Sequence, residues 1–158
     1  RSSDLEPSVD SPGIPHPNEA MLATKTQVLD AIGSSKTVLL NTLPYRKFTG
    51  DSSTHLARRG RIPGSKNLPS EMLHDENGRM LSRKAIRELL EKSGVDPTGT
   101  QKVIAYCGGG LAASYACLAL ERAGHRNWAL YDGSLDEWSR DPLLPMETGP
   151  VNQSEMLV

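Results

Sequence analysis

The sequence predicts an α/β fold built on a parallel sheet. Predicted strands alternate with predicted helices along the chain, which is the order that βαβ units produce. The strand segments are continuous apolar runs, such as Val-Leu-Leu at 38–40 and Val-Ile-Ala at 103–105. They lack a polar residue at every second position, and such strands are typical of a parallel sheet that is buried on both faces.

The first half of the chain contains a predicted leader, one helix and two short strands. Residues 1–22 are expected to be a flexible leader, because the first eighteen hold four Pro and four Ser and few large apolar side chains to offset the entropy of ordering. The run Thr-Lys-Thr-Gln at 24–27 fits a capping box and predicts a helix that Gly33 closes. Short strands are expected at 37–40 and 66–68.

The second half contains the longer elements. Leu111, Tyr115, Leu118 and Ala119 have helical spacing and predict an apolar face. Residues 150–158 are expected to form a loose tail, which leaves one domain at 23–149. The predicted elements, in order, are a helix capped by Ser82 and ended by Gly94, a strand at 102–106, a helix ended by Gly124, a strand at 128–131, and a short helix opened by a second capping box at 134–137.

Composition and charge exclude several classes of protein. The 158 residues carry 18 Lys plus Arg against 19 Asp plus Glu, a net charge of −1, so the electrostatic attraction that drives nucleic-acid binding is missing. Two cysteines form neither a disulfide framework nor a Cys-x-x-Cys zinc site, which points to a reducing compartment. We therefore expect no nucleic acid, no metal and a cytoplasmic location.

A membrane span is also not expected. Residues 103–120 are uncharged, which is close to the length of a span. Three consecutive glycines lie in the middle of this segment, and each weakens a helix by about 1 kcal/mol relative to Ala. The segment is therefore interpreted as strand, loop and helix.

Cys107 is the candidate catalytic residue. Ligand sites of parallel α/β sheets lie outside the carboxyl ends of the strands, and Cys107 follows the strand at 102–106 and precedes Gly108, Gly109 and Gly110. Glycines allow the backbone N–H groups to turn towards one point, which together with the helix dipole favours an anion. The pattern predicts an accessible thiolate.

A packing role is the alternative for each cysteine. Buried thiols often act as small hydrophobic residues, and the glycines after Cys107 would then only make a tight turn. Cys117 lies in the middle of a predicted helix, so packing is its expected role, and the intervening helix argues against a disulfide with Cys107.

Four segments, in order, resemble the rhodanese-like sulfurtransferases, over about residues 23–149. The closest similarity is to the catalytic C-terminal half of tandem-domain thiosulfate and 3-mercaptopyruvate sulfurtransferases. The resemblance implies a central parallel sheet of about five strands with helices on both faces. The segments are Val-Leu-Leu at 38–40, Gly-Arg-Ile-Pro-Gly-Ser at 60–65 against the family's Gly-His-Ile-Pro-Gly-Ala, the Cys107 loop, and Leu-Tyr-Asp-Gly-Ser at 130–134 with Glu137 and Trp138.

The resemblance also implies an activity that needs no metal or organic cofactor. Cys107 would take a sulfane sulfur from thiosulfate or 3-mercaptopyruvate, small anionic donors, and hold it as a persulfide. The sulfur would then pass to a thiol or cyanide acceptor. The implied active loop consists of Cys107, Gly108, Gly109, Gly110, Leu111 and Ala112, with Ala113 directly after it.

Departures from the family pattern concern the donor. The segment Arg-Lys-Phe-Thr-Gly at 46–50 has Thr49 where the tandem enzymes carry a donor-binding Arg. Arg46 and Arg58 are therefore our candidates for the anionic end of the donor, with Lys47 and Arg59 as alternatives; a solvated basic surface is the other interpretation of the cluster around Arg58. The uncharged loop favours mercaptopyruvate, and the family's Asp-x-Arg reads Asn-Thr-Leu at 41–43.

Two other functions are alternatives to sulfur transfer. A cysteine phosphatase needs an Arg six positions after the cysteine to clamp phosphate, and Ala113 occupies that position. The stronger alternative is a non-enzymatic module that relays sulfur or binds a protein. No histidine is expected to be catalytic, and the oligomeric state is left open.

Overall fold

Four parallel strands form the central sheet of residues 19–151, the part of the chain described by this computed structural model. The sheet confirms the predicted α/β fold. Residues 1–18 of the predicted leader and 152–158 of the predicted tail lie outside the described residues. The strands are β1 (Thr37–Asn41), β2 (Lys66–Asn67), β3 (Lys102–Tyr106) and β4 (Trp128–Leu130), in the spatial order β2-β1-β3-β4.

The sheet has four strands rather than about five. At the place of a fifth strand, Leu22 makes a single parallel bridge with Leu130 beside β4, and the Ala23 amide donates to the Leu130 carbonyl at 2.8 Å. The chain turns away at once because Thr24 caps the first helix. The β4 edge of the sheet is therefore extended by a single bridge and not by a fifth strand.

The register of the strands brings the following loops to one edge of the sheet. Asn41, the last residue of β1, pairs with Tyr106, the last residue of β3. Ala105 pairs with Leu130 at the end of β4. The segments that begin at Thr42, Cys107 and Tyr131 consequently leave the sheet next to one another.

Helices cover both faces of the sheet. The capping box at Thr24 is present, and the Ser82 hydroxyl accepts from the Ala85 amide at 3.2 Å, which confirms both predicted helix starts. The helices are α1 (Lys25–Ala31), α2 (Tyr45–Thr49), α3 (Arg83–Ser93), α4 (Leu111–Ala123) and α5 (Ser134–Trp138), with 3-10 turns at Glu19–Met21 and Ser70–Leu73.

Alternation along the strands divides the core in two. Leu39 and Ile104 face α1 and α5, whereas Leu40 and Val103 face α3 and α4. On the first side the sheet packs against Val28, Leu135 and Trp138, all fully buried. This two-sided burial explains why the strand sequences contain continuous apolar runs.

The buried face of α4 differs from the predicted one. Leu111 is 86% exposed and Leu118 is 61% exposed, so the predicted apolar face points outward at both leucines. The helix instead contacts the core through small residues, whose short side chains allow its backbone to lie close to the sheet and α3. They are Ala113, Ala116, Cys117, Ala119 and Ala123, together with Leu120.

The turn at 60–65 is held against β3 by one tyrosine. The Tyr106 hydroxyl accepts from the Ile62 amide at 3.0 Å and lies 2.7 Å from the Ser65 hydroxyl. Tyr106 is fully buried, and burial raises its pKa above the ordinary value. The residue before Cys107 is thereby fixed from the side opposite α4.

Within residues 19–151, every helix is too short or too polar to cross a membrane.

His125 lies at the far end of the domain and makes stability depend on pH. It is fully buried, and neither ring nitrogen has a hydrogen-bond partner among the described residues. Burial lowers its pKa below the ordinary value of 6.5, because the imidazolium form loses its hydration. The folded state therefore holds this histidine neutral at a pH where the unfolded chain takes up a proton.

We expect the free energy of unfolding to fall as pH decreases below about 6.5. One proton bound only by the unfolded state contributes a slope of at most about 1.4 kcal/mol per pH unit. Urea unfolding at pH 7.5, 6.5 and 5.5 measures the slope, and His125→Gln should flatten it. An equal slope in the variant would contradict the assignment to His125.

Candidate active site

Cys107 occupies the connection between β3 and α4. Gly110 caps α4 with a φ of 99°, a left-handed conformation that glycine adopts without strain. A Cβ atom at this position would lie 2.9 Å from both the carbonyl oxygen and the Oδ1 atom of Asp132. Gly110 is therefore required both by its φ and by the close approach of Asp132.

The Cys107 sulfur is buried. Its residue is 2% exposed and packs with Ala105, Ala113 and Cys117. The Gly110 amide donates to Sγ at 3.0 Å, so a backbone N–H does face the sulfur as expected. The expectation that the thiol is accessible is wrong, because α4 packs closely over the end of β3 and buries Cys107.

The other loop amides are free to bind an anion. Among the described residues, no group accepts a hydrogen bond from the amides of Gly108, Gly109 and Leu111–Ala113. Gly109 is exposed. The N-terminal end of α4 thus presents unpaired donors beside the sulfur, an arrangement that favours negative charge.

Ser134 lies beneath the cysteine in a strained conformation. Its φ of 50° is positive, which no other non-glycine residue of 19–151 shows, and its side chain is fully buried. The hydroxyl accepts from the Cys107 amide at 3.0 Å, donates to the Tyr131 carbonyl at 2.9 Å and lies 3.9 Å from Sγ.

Ser134 is therefore not the helix cap that the sequence predicted. The N-cap of α5 is Gly133, and no side-chain capping bond is made. Sequence reasoning missed its contact with Cys107 because the two residues are 27 positions apart. The Asp-Gly-Ser motif was the signal available, but it did not show which way the hydroxyl points.

Main-chain hydrogen bonds join the cysteine loop to α5. The Leu135 amide donates to the Cys107 carbonyl at 2.9 Å, and the Asp136 amide donates to the Gly108 carbonyl at 2.8 Å. Together with the Ser134 contact, these bonds fix both sides of the Cys107 backbone.

Cys117 is a free thiol with a packing environment. It is 3% exposed. Burial, with a further contribution from nearby Cys107, raises its pKa to about 12. It is consequently protonated at neutral pH and a poor nucleophile.

Arg58 has a structural role in this conformation. Its guanidinium donates to four main-chain carbonyls at the end of α5 and just after it: Ser139 at 2.9 Å, Leu144 at 2.8 Å, Asp141 at 2.7 Å and Trp138 at 3.3 Å. Four of its five N–H groups are therefore occupied. This is not the donor-binding role expected from sequence, because the guanidinium is bonded to carbonyls 80 to 86 positions away.

Arg61 binds the same C-terminal segment. It is 3% exposed, and its guanidinium donates to the Gly149 carbonyl at 2.8 Å and contacts the Glu147 carboxylate at 3.2 Å. It also lies 4.5 Å above the centroid of the Phe48 ring, a favourable cation–π distance. Arg58 and Arg61 together anchor residues 138–149.

The other three candidate cations for the donor make no such contacts within residues 19–151. Arg46, Lys47 and Arg59 are exposed. Lys47 and Arg59 line a small hollow with Leu43, and Leu43 packs against the cluster that contains Cys107. Thr49, by contrast, is 7% exposed and donates to the Arg46 carbonyl at 3.1 Å.

The opposite side of the loop is acidic. An open hollow of about 540 Å³ extends from Gly109. Its charged side chains pair incompletely: Asp136 with Arg140 at 3.0 Å and Lys25 with Asp141 at 3.8 Å. The charged residues are Asp132, Asp136, Glu137 and Asp141 against Lys25 and Arg140.

The described residues contain no group of three or more His, Cys, Asp or Glu side chains placed to hold a metal ion.

The fold and the site define a class. Cys107 lies at the carboxyl edge of a parallel sheet and is followed by a glycine turn and a helix N-terminus. This arrangement is typical of proteins that surround a thiol with backbone N–H donors. The chain belongs to the rhodanese-like domain family, whose model matches residues 24–141. The resemblance stated from the sequence is confirmed.

The relatives are longer proteins that are named as sulfurtransferases. SseB of Mycobacterium tuberculosis, named as a thiosulfate sulfurtransferase, is 35% identical over 117 residues, which cover 74% of this chain and 40% of SseB. The thiosulfate sulfurtransferase of Gallus gallus is 29% identical over 77% of this chain and 41% of its own length. The chain thus spans less than half of these curated relatives.

A solved structure shares the architecture. The anaerobic ergothioneine biosynthesis enzyme of Chlorobium limicola, in complex with trimethyl histidine, superimposes with a TM-score of 0.76 at 25% identity. The match covers 84% of this chain and 33% of that enzyme.

Replacing Arg58 tests its structural role. Arg58→Ala should lower the free energy of unfolding by about 2–4 kcal/mol, because four carbonyls lose a charged donor. Arg59→Ala is the matched control, since Arg59 is exposed, and should change stability by less than about 0.5 kcal/mol. Chemical denaturation measures both; equal effects would contradict the anchoring role.

Two substitutions of Ser134 separate the contribution of its hydroxyl to stability from the cost of its left-handed backbone conformation. Both Ser134→Ala and Ser134→Gly leave the Cys107 amide without its acceptor, which should destabilise the fold by about 1–3 kcal/mol. Glycine relieves the positive φ, so Ser134→Gly should be more stable than Ser134→Ala by about 1 kcal/mol. The reverse order in thermal unfolding would show that the left-handed conformation carries no strain.

Proposed function

We propose that this chain is the sulfur-carrying domain of a sulfurtransferase, with Cys107 as nucleophile. The observation that supports the proposal most directly is the Gly110 amide 3.0 Å from Sγ at a helix N-terminus whose other amides are unpaired. The names of the relatives, thiosulfate and 3-mercaptopyruvate sulfurtransferases, support the same class of reaction. A cytoplasmic location remains part of the proposal, in keeping with the two free thiols.

The reaction has two steps that leave the cysteine unchanged overall. In the first, the Cys107 thiolate attacks the outer sulfur of thiosulfate, the sulfur–sulfur bond of the donor breaks, and sulfite leaves with its electron pair. In the second, a thiolate or cyanide attacks the outer sulfur of the persulfide and the Cys107 thiolate leaves. With 3-mercaptopyruvate, the carbon–sulfur bond of the donor breaks instead. The enolate of pyruvate leaves with the electron pair and takes up a proton to give pyruvate.

The loop amides stabilise the charge that the persulfide brings. The outer sulfur extends beyond Sγ, towards the unpaired amides of the active loop 107–112. Preorganised donors of this kind are worth a few kcal/mol each when negative charge develops beside them. Because Cys107 is 2% exposed, the donor must be narrow and approach with its transferable sulfur first.

The donor's anionic end is proposed to lie on the basic side of the loop. Arg46 remains a candidate, and Lys47 and Arg59 are better placed by their common hollow beside Leu43. Arg58 is not proposed for this role, since its guanidinium binds main-chain carbonyls. Thiosulfate and 3-mercaptopyruvate both carry the negative charge that such a position requires.

Delivery of sulfur to another protein is the second candidate function. An open groove of about 450 Å³ adjoins the active loop, and Leu111, Tyr115 and Leu118 of α4 line it. Leu111 and Leu118 are both exposed, and adjoining exposed apolar side chains are typical of protein contacts. Turnover with small acceptors distinguishes the enzyme from a module that only relays sulfur.

Mass spectrometry of the intact chain tests the proposal. After incubation with thiosulfate or 3-mercaptopyruvate and removal of free donor, we expect a gain of one sulfur atom on the peptide that contains Cys107. Cys107→Ser should show no gain and no sulfur transfer to cyanide. Cys117→Ala is the matched control and should gain the sulfur as the unmodified chain does. Sulfur on Cys117 alone, or none with either donor, would refute the proposal.

A further inference from the structure

Asp132 carries an unpaired charge against the active loop. Its carbonyl and Oδ1 oxygens face the bare Cα of Gly110, since a Cβ there would lie 2.9 Å from each. Gly110 is also the residue whose amide donates to the Cys107 sulfur. Asp132 is exposed, and within residues 19–151 its carboxylate makes no hydrogen bond or ion pair.

Two of the neighbouring acids are paired with cations and Asp132 is not. Asp136 pairs with Arg140, Asp141 pairs with Lys25, and Glu137 accepts from the Tyr131 hydroxyl at 2.7 Å. Asp132 and Glu137 therefore both lack a cation partner among the described residues, and Asp132 is the one whose oxygens lie against Gly110 of the loop. Lys47 and Arg59 lie on the other side of the loop, lining the hollow with Leu43.

We propose that Asp132 is a specificity-determining residue that selects sulfur donors by their charge. The inference rests on the proposed sulfur transfer through Cys107. The carboxylate disfavours each negative charge that a donor brings to the mouth of the loop, so it acts more strongly against a dianion than against a monoanion. Thiosulfate is a dianion at neutral pH, whereas 3-mercaptopyruvate is a monoanion.

The structure explains why this effect acts at the sulfur. The carboxylate lies against Gly110, the residue whose amide donates to Sγ, so it is within about one screening length of the sulfur, about 8 Å at physiological salt. No cation among the described residues pairs with it, so its field is not cancelled locally. A cation on the opposite side then orients the donor's anionic end away from Asp132.

Charged and neutral thiol reagents measure this field without relying on sulfur transfer. Iodoacetamide and iodoacetate differ by one negative charge and attack the same thiol. The ratio of their rates at Cys107, followed by peptide mass spectrometry, reports the local potential. Asp132→Asn should lower the iodoacetamide-to-iodoacetate ratio about threefold or more at low salt, and added salt should reduce the difference.

Glu91→Gln is the matched control, because it removes one negative charge from an exposed position on the last turn of α3. Its ratio should equal that of the unmodified chain. An unchanged ratio in Asp132→Asn, or an equal change in Glu91→Gln, would overturn the inference. Circular dichroism confirms that both variants keep the fold.

Donor kinetics complete the test. In Asp132→Asn the kcat/KM for thiosulfate should rise about threefold relative to that for 3-mercaptopyruvate, as one unit of charge difference requires. An unchanged preference between donors, in a chain that forms the persulfide, would overturn the inference alone. If Cys107 reacts with both reagents but gains sulfur from neither donor, the proposed function fails, and the alkylation ratio still decides what Asp132 does.

Discussion

The hydrogen bonds between the cysteine loop and the first turn of α5 support the rest of the site. They use the carbonyls of Cys107 and Gly108 and the amide of Cys107. Once these groups are satisfied, the loop turns through Gly110, and the amides at the start of α4 are left as donors without acceptors. A surface of unpaired amides, which favours negative charge, therefore results because the other polar groups of the loop are already bonded.

Arg58 and Arg61 show that a basic cluster in a sequence does not by itself indicate an anion-binding site. Arg58 and Arg61 both belong to a basic run that invites an anion-binding interpretation. In the fold their guanidinium groups donate hydrogen bonds to main-chain carbonyls of residues 138–149. Most of these carbonyls lie outside helices and strands and would otherwise lack a hydrogen-bond partner. The field around the active loop is set instead by residues without such partners, positive on one side and negative at Asp132.

Much of the fold could be predicted from the sequence, and the errors have two causes. The strand at 102–106 and the helix starting after Ser82 follow from local apolar pattern and capping, which need no distant information. The roles of Ser134 and Arg58 depend on partners tens of residues away, and a capping box or a basic cluster carries no trace of them. The buried face of α4 was predicted wrongly because leucines are expected in the core. Close packing of this helix against the sheet instead requires the short side chains of alanines.

The arginine contacts also determine where the folding unit ends. The family match stops at 141, yet Arg58 and Arg61 reach carbonyls as far along as Gly149, and the main chain of Arg61 pairs with Glu147 in both directions. Cutting the polypeptide at the border of the matched region would remove the Gly149 and Glu147 acceptors of Arg61 and the Leu144 acceptor of Arg58. The autonomous module is thus longer at its C-terminal end than its homology suggests.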